Sequence, residues 1–328
     1  MVRVIPGDEI GINLAAAAIK QGNLVAIPTE TVYGLAADAC NIDAVRNIYR
    51  VKQRPLNNPL IVHIESLNDL EKWSVQIPDY ALNLAKVFWP GPLTLVLKRS
   101  KLASDLITGN QDFVAIRVPN NETTLKLLKI LKNDGIQGLV APSANRFQEV
   151  STTSAQDVFD SLGVFLGNND LILDGGICSV GIESTIIDCT GASPKILRYG
   201  YITEQNIRES LQKSIRTFLP NQEDETLDAT LKQVPGMSQR HYSPKAEVHL
   251  SGNPNQGDGF IALASVETPI GAIRLAAPKN VDEYAYLLYK ALRSADKQGL
   301  KRIFAVPPVG EGLAEAIRDR LNRAANTP

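Results

Sequence analysis

Up to about Arg198, short apolar runs alternate with segments whose apolar side chains recur at helical spacing, and most of the runs stop at a glycine, a proline or a hydroxyl. Asp8 is placed to cap a helix over 10–19, which ends near Gly22 and feeds a buried strand over 24–27. The stretch 43–51 carries Val45, Ile48 and Tyr49 at helical spacing, and further helices are predicted over 82–87, 125–131 and 155–159. Strands are predicted over 60–64, 93–97, 114–119, 139–141, 171–174, 184–188 and 196–198, because these runs are nearly all apolar or β-branched, as buried strands are. Strands outnumber the helices between them, which predicts an α/β fold of the α+β kind: a twisted mixed sheet with flanking helices, not a purely doubly wound one.

The texture changes near Phe218. Residues 220–225 are polar and acidic, and 233–244 hold prolines, a glycine and few apolar side chains, the composition of a linker. Beyond it the pattern predicts strands at 259–264, 270–275 and 302–306 and helices at 282–297 and 311–325, a small second α/β unit. The expected division is 1–216, a linker over 217–245, and 246–328. No repeat interrupts it.

Composition narrows the function. With 44% hydrophobic residues in 328, the chain can bury real cores. A formal net charge of -1 argues against a broadly basic surface, so a small substrate fits better than stable nucleic-acid binding. Cys40, Cys178 and Cys189 form no CxxC pair, and with three histidines no zinc spacing can be assembled, so no protein-held metal is expected. Pro6, Gly7, Asp8 and Glu9 interrupt any N-terminal apolar stretch and no run reaches membrane-spanning length, which predicts a cytoplasmic protein with no membrane contact.

Chemistry gathers at the strand ends. Thr29, Glu30, Thr31 and Tyr33 follow the strand at 24–27, and Lys52 and Arg54 precede the stiffening prolines Pro55 and Pro59. Each has a bland reading: a polar turn for the threonines, a solvated helix end for the cations, a core histidine for His63. Ser143, Asn145, Ser151 and Thr152 could simply cap the helix ahead of Ala155. Arg117 is harder to dismiss, since an arginine within an apolar strand needs an anionic partner if buried. Glu183-Ser184-Thr185 and Arg198 repeat the pattern at two more strand ends. Several hydroxyls and four cations at the ends of one sheet's strands point to an anionic ligand. Neither GxxxxGK[ST] nor GxGxxG nor GxSxG is present, so phosphate would be held by clustered arginine, lysine and hydroxyl groups.

Seven ordered motifs resemble the YrdC family of threonylcarbamoyl-AMP synthases: Pro28-Thr29-Glu30-Thr31-Val32-Tyr33-Gly34-Leu35, Lys52-x-Arg54-Pro55 with Asn58-Pro59-Leu60, Trp89-Pro90-Gly91-Pro92-Leu93-Thr94, Arg117-Val118-Pro119, Pro142-Ser143-Ala144-Asn145, Glu183-Ser184-Thr185 and Ile196-Leu197-Arg198. Pro235-Gly236-Met237, Arg240-His241-Tyr242-Ser243-Pro244 and the ending Asp319-Arg320-Leu321-x-Arg323-Ala324 resemble the long form of that enzyme. The resemblance implies a YrdC-like catalytic domain with a small Rossmann-like C-terminal domain. It implies that L-threonine, bicarbonate and ATP, with Mg2+ arriving on the ATP, become threonylcarbamoyl-AMP and pyrophosphate for the machinery that modifies tRNA to threonylcarbamoyladenosine. Lys52 and Arg54 would be catalytic. Thr31, His63, Arg117, Ala141 and Ser184 would hold threonine, with Arg117 on its carboxylate. Arg54, Asn58, Ser143, Asn145, Ser151 and Arg198 would hold ATP. Apart from the resemblance, the run 240–244 is more cationic and aromatic than a passive spacer needs, which predicts a lid with His241 or Tyr242 reaching the nucleotide. Phe147, Gln148, Thr152, Asn120 and Tyr199 depart from the family's pattern and bear on loop shape. A carbamoyl-AMP-forming relative and a non-catalytic RNA-binding module are the alternatives. The first needs acylphosphatase-like and zinc-finger parts that this chain lacks, and the second is disfavoured by the near-neutral charge and the lack of an aromatic stripe.

Overall fold

Four side chains, Asp8, Asn41, Asn121 and Ser154, each accept the amide hydrogen three residues on, and so fix where four helices begin. The computed structural model describes residues 2–214, 233–236 and 242–325. Its first unit runs β1 Arg3–Pro6, α1 Glu9–Lys20, β2 Val25–Ile27, β3 Gly34–Asp38, α2 Ile42–Lys52, β4 Ile61–His63, α3 Leu70–Trp73, α4 Asp79–Phe88 and β5 Leu93–Lys98. It continues with α5 Asp105–Thr108, β6 Phe113–Arg117, α6 Glu122–Asn133, β7 Leu139–Val140, α7 Ala155–Leu162, β8 Leu171–Asp174, β9 Thr185–Asp188, β10 Lys195–Arg198 and α8 Glu204–Ser214. The second unit is β11 Glu247–His249, β12 Gly259–Ile261, β13 Ile273–Ala276, α9 Val281–Lys297, β14 Arg302–Ala305 and α10 Leu313–Ala325.

The first ten strands form one sheet in the order β1-β8-β2-β3-β7-β4-β6-β5-β9-β10. Parallel pairs such as β4 with β6 mix with antiparallel pairs such as β2 with β3 and β5 with β6, so the expected mixed sheet is what forms. One face carries α1 and α6 on a core around Ile19, Ile27 and Leu127, and the opposite core includes Tyr49, Trp73 and Leu95. The second unit is an all-parallel sheet in the order β11-β14-β12-β13, with α9 and α10 supplying most of its core. That core also takes in Val32, Val150 and Ile182 of the first unit, so the two units share buried apolar surface.

The structure departs from the sequence reading in places. Ser151 and Thr152 do not cap α7; Ser154 does, accepting from Asp157 N, and Ser151 is turned elsewhere. The strand expected at 270–275 begins only at Ile273, since Pro269 and Gly271 set a turn that leaves Ile270 exposed. β3 was hidden because Gly34-Leu35-Ala36-Ala37-Asp38 has little strand propensity. Pairing with β2 and β7 on either side overrides that. Among the described residues, no helix is long and apolar enough to cross a membrane.

Candidate active site

The strand ends converge because of register. His63 on β4 pairs with Arg117 on β6, and the segment after β7 pairs back on the start of β3 through Gly34 and Ser143. Between them lies a cavity of about 50 Å³. Its lining residues fall into two groups by their interactions: Thr29, Thr31, His63 and Arg117 make up its first end, and Arg54, Ser184 and Arg198 its second, with Ala141 and Ser143 also in the wall. Glu183, Pro235, Gly236 and Tyr242 complete the wall.

At the first end the charges cancel. Arg117 Nη2 lies 2.6 Å from Glu30 Oε2, an ion pair by distance although out of hydrogen-bond alignment, with both side chains buried. Arg117 Nη1 donates to Thr31 Oγ1 at 2.9 Å and its Nε to Gly91 O at 3.2 Å, so the Trp89-Pro90-Gly91-Pro92 turn aims the guanidinium. Thr31 Oγ1 is 2.9 Å from Thr29 Oγ1, which donates to Val32 O, and this closes a short hydroxyl chain. Burial, and then the neighbouring Arg117, push His63 down to about 3, so its ring is neutral. His63 Nδ1 faces Ile61 O at 3.2 Å; the proton therefore sits on Nδ1 and Nε2 is left as an acceptor.

At the second end they do not cancel. Lys52 Nζ donates to the carbonyls of Ser143, at 2.5 Å, and of Asn145. Arg54 donates to Asn58 O at 3.2 Å and Pro59 O at 2.8 Å, and Arg198 donates to Ser184 O at 2.8 Å and Pro235 O at 2.8 Å. All three are buried, and among the described residues none forms an ion pair with a carboxylate. Burial lowers all three: Lys52 falls well below its ordinary value, with the Arg54 charge adding to the effect, Arg54 falls to about 10, and Arg198 is lowered as well. Among the described residues, Glu183 is the one carboxylate in the cavity wall. Burial would raise it, but Arg320 and then Arg198 outweigh that, and with hydroxyls from Ser151 and Tyr289 they hold it at about 2.

Of the residues singled out from the sequence, Thr31, Arg54, His63, Arg117, Ala141, Ser143, Ser184, Arg198 and Tyr242 line the cavity. Lys52, Asn58, Asn145 and Ser151 stand behind it. Asn58 O braces Arg54, Asn145 Nδ2 ties its own loop to the carbonyls of Arg146 and Glu149, and Ser151 Oγ donates to Glu183 Oε1 at 2.6 Å. Tyr33 turns away, donating to Gly176 O at 2.7 Å. His241 lies outside the described residues. The sequence reading gave no role to Glu30 as the partner of Arg117, nor to Tyr289 and Arg320. The last two were legible in principle, since they fall on the same helical stripe as buried Leu288 and Leu292, and as Ile317, Leu321 and Ala324.

Comparison with known proteins agrees over nearly the whole length. The family model Sua5_yciO_yrdC, described as Telomere recombination, matches residues 17–200, and the model described as Threonylcarbamoyl-AMP synthase, C-terminal domain, matches 202–326. A Pyrococcus abyssi protein named Threonylcarbamoyl-AMP synthase is 39% identical over 97% of this chain and 95% of its own. A Bacillus subtilis protein of the same name is 36% identical over 97% of this chain and 95% of its own. The solved structure described as P. abyssi Sua5 complexed with L-threonine superimposes with a TM-score of 0.84 at 36% identity, covering 99% of this chain and 97% of that one. The chain therefore belongs to the Sua5, YciO and YrdC family, in the two-domain form that ends in the threonylcarbamoyl-AMP synthase C-terminal domain.

Proposed function

We propose that the chain is a threonylcarbamoyl-AMP synthase, joining L-threonine, bicarbonate and ATP into threonylcarbamoyl-AMP and pyrophosphate. One observation carries this reading beyond kinship: two buried arginines in the cavity wall, with Lys52 buried behind them, spend their donors on neutral carbonyls. A buried charge without a counter-charge is costly, and a polyphosphate would supply what the fold withholds. The opposite end is balanced, as suits a zwitterion.

Threonine would sit at the Arg117 end. Three of the five Arg117 N–H groups face Gly91 O, Thr31 Oγ1 and Glu30, and two remain for a carboxylate. His63 Nε2 would accept from the amine or hydroxyl, the Ala141 backbone would close the pocket, and Ser184, which anchors Arg198, would lie between threonine and nucleotide. Bicarbonate and the neutral amine give a carbamate and water. A carbamate oxygen then attacks the α-phosphorus of ATP and pyrophosphate leaves with the β and γ phosphates. Both partners of that step are anionic, so Lys52, Arg54 and Arg198 would lower its barrier by holding charge where it concentrates. Ser143, Asn145, Ser151 and Asn58 would fix the loops that carry those cations.

Mg2+ would arrive with ATP and neutralise phosphate charge. A cavity of about 50 Å³ admits a few waters and no nucleotide. The wall formed by Pro235, Gly236 and Tyr242 would have to move for ATP to enter, in keeping with a linker lid over 217–245 between a catalytic domain 1–216 and a small domain 246–328. The product would serve tRNA threonylcarbamoylation in the cytoplasm.

Pyrophosphate release by the full chain tests the reading. It should require ATP, L-threonine and bicarbonate together; release that ignores bicarbonate, or equal rates with other amino acids, would refute it. Retention of tRNA on a filter at physiological salt, without such release, would favour the RNA-binding alternative.

A further inference from the structure

Two helices of the second unit reach the cavity's positive end, and what they touch there is its only wall carboxylate among the described residues. Arg320 on α10, 1% exposed, places Nε 3.0 Å from Glu183 Oε2, and its Nη2 donates to Tyr199 O at 2.9 Å. Tyr289 on α9 donates its hydroxyl to the same Oε2 at 2.7 Å. The other oxygen of Glu183 accepts from Ser151, and Arg293 of α9 donates to Ser151 O at 3.0 Å and to Val150 O. The ring of Tyr242 lies against both, 5.6 Å from the Tyr289 ring and 5.0 Å from the Arg320 guanidinium. A domain interface needs none of this to hold together, because Val32, Val150 and Ile182 already bury apolar surface against α9 and α10.

The position of Glu183 gives these contacts a consequence. It is adjacent to Ser184, whose carbonyl and hydroxyl anchor Arg198, and Arg198 acts electrostatically on it. An uncompensated carboxylate there would cancel the charge of Arg198 and repel a phosphate. Arg320, which also pairs with Asp319 at 2.6 Å, faces Glu183 from outside the cavity, and Arg198 forms no ion pair with Glu183, its donors going to carbonyls and the Ser184 hydroxyl.

We propose that Arg320 and Tyr289 are positioning residues of the reaction: the C-terminal domain neutralises and orients Glu183 so that the charge of Arg198 is reserved for the nucleotide. This rests on the reading of the positive end as the nucleotide site. It gives the small domain a part in the ATP site without contact with ATP.

The test compares full-length wild type with Arg320→Gln, Glu183→Gln, the double variant and Tyr289→Phe, reading KM for ATP, KM for threonine, kcat and melting temperature. Arg320→Gln is expected to raise the ATP KM roughly ten- to a hundredfold while the threonine KM moves less than about threefold. The double variant is expected to recover most of that loss, because the uncompensated carboxylate is gone. Tyr289→Phe is expected to raise the ATP KM roughly threefold. Equal rises in both KM values for Arg320→Gln, or a double variant no better than Arg320→Gln, would show that Arg320 merely holds the domains together. If Arg320→Gln does not fold, Arg320→Lys compared with the double variant decides in the same way. A wild-type chain that releases no pyrophosphate with all three substrates would instead overturn the nucleotide reading itself.

Discussion

The two ends of one small cavity handle buried arginine in opposite ways. At the Arg117 end, the protein supplies its own counter-ion, Glu30 at 2.6 Å, so the net charge is balanced while two guanidinium N–H groups stay open. At the Arg54 and Arg198 end, three buried cations rest on carbonyl oxygens. The difference teaches where stability and function part. A balanced end suits a ligand with no net charge, and an unbalanced one is kept at a cost in stability for an anion.

The largest effect should come from breaking the paired end. Glu30→Ala leaves Arg117 buried and alone, and should lower folding stability by about 3 to 5 kcal/mol in a denaturant melt. Arg198→Ala removes a charge without a carboxylate partner and should cost far less stability. A Glu30→Ala protein as stable as wild type would remove the basis of the contrast.

Next in size is turnover at the unpaired end. Arg54→Ala and Lys52→Ala should fold and lose about 2 to 4 kcal/mol of transition-state stabilisation in pyrophosphate-release kinetics. Full activity in either would exclude that residue from the reaction. Inorganic pyrophosphate should raise wild-type stability by about 2.7 kcal/mol at a hundred times its Kd, and by clearly less in Arg198→Ala. An equal rise in both would place the anion elsewhere.

The last expected effect concerns pH, and it appears only in acid. His63 is held at about 3 in the folded chain, against an ordinary value of 6.5. The unfolded chain binds the extra proton first, so stability rises with pH between about 3 and 6.5, is full above 6.5, and is lost on acidification through that window. His63→Gln should flatten this limb of the stability profile. An unchanged slope would mean that the ring is charged in the fold.

Much of this was legible in the sequence because the strands are apolar runs ended by polar residues. Thr31, Arg54, His63, Arg117, Ser143, Ser184 and Arg198 could be picked out as strand-end chemistry, and all of them line the cavity. What stayed hidden depended on tertiary pairing. Glu30 sits in the same motif as Thr31, yet nothing local says that its carboxylate meets Arg117, 87 positions on in the chain and beside it only through the sheet. Arg320 reads as one more cation on a charged helix until α10 packs it against Glu183. Nor does anything local say that the Lys52 nitrogen bridges two carbonyls of the loop after β7, a contact set by how that loop returns to β3.

The central claim is the division of labour between the ends, and a crossed binding measurement tests it most directly. Calorimetric titration of Arg198→Ala and Arg117→Ala, each with ATP and with L-threonine, should show the first losing ATP affinity with threonine affinity kept. The second should lose threonine affinity with ATP affinity kept. Equal losses of both ligands in either variant, or the opposite crossing, would contradict the account.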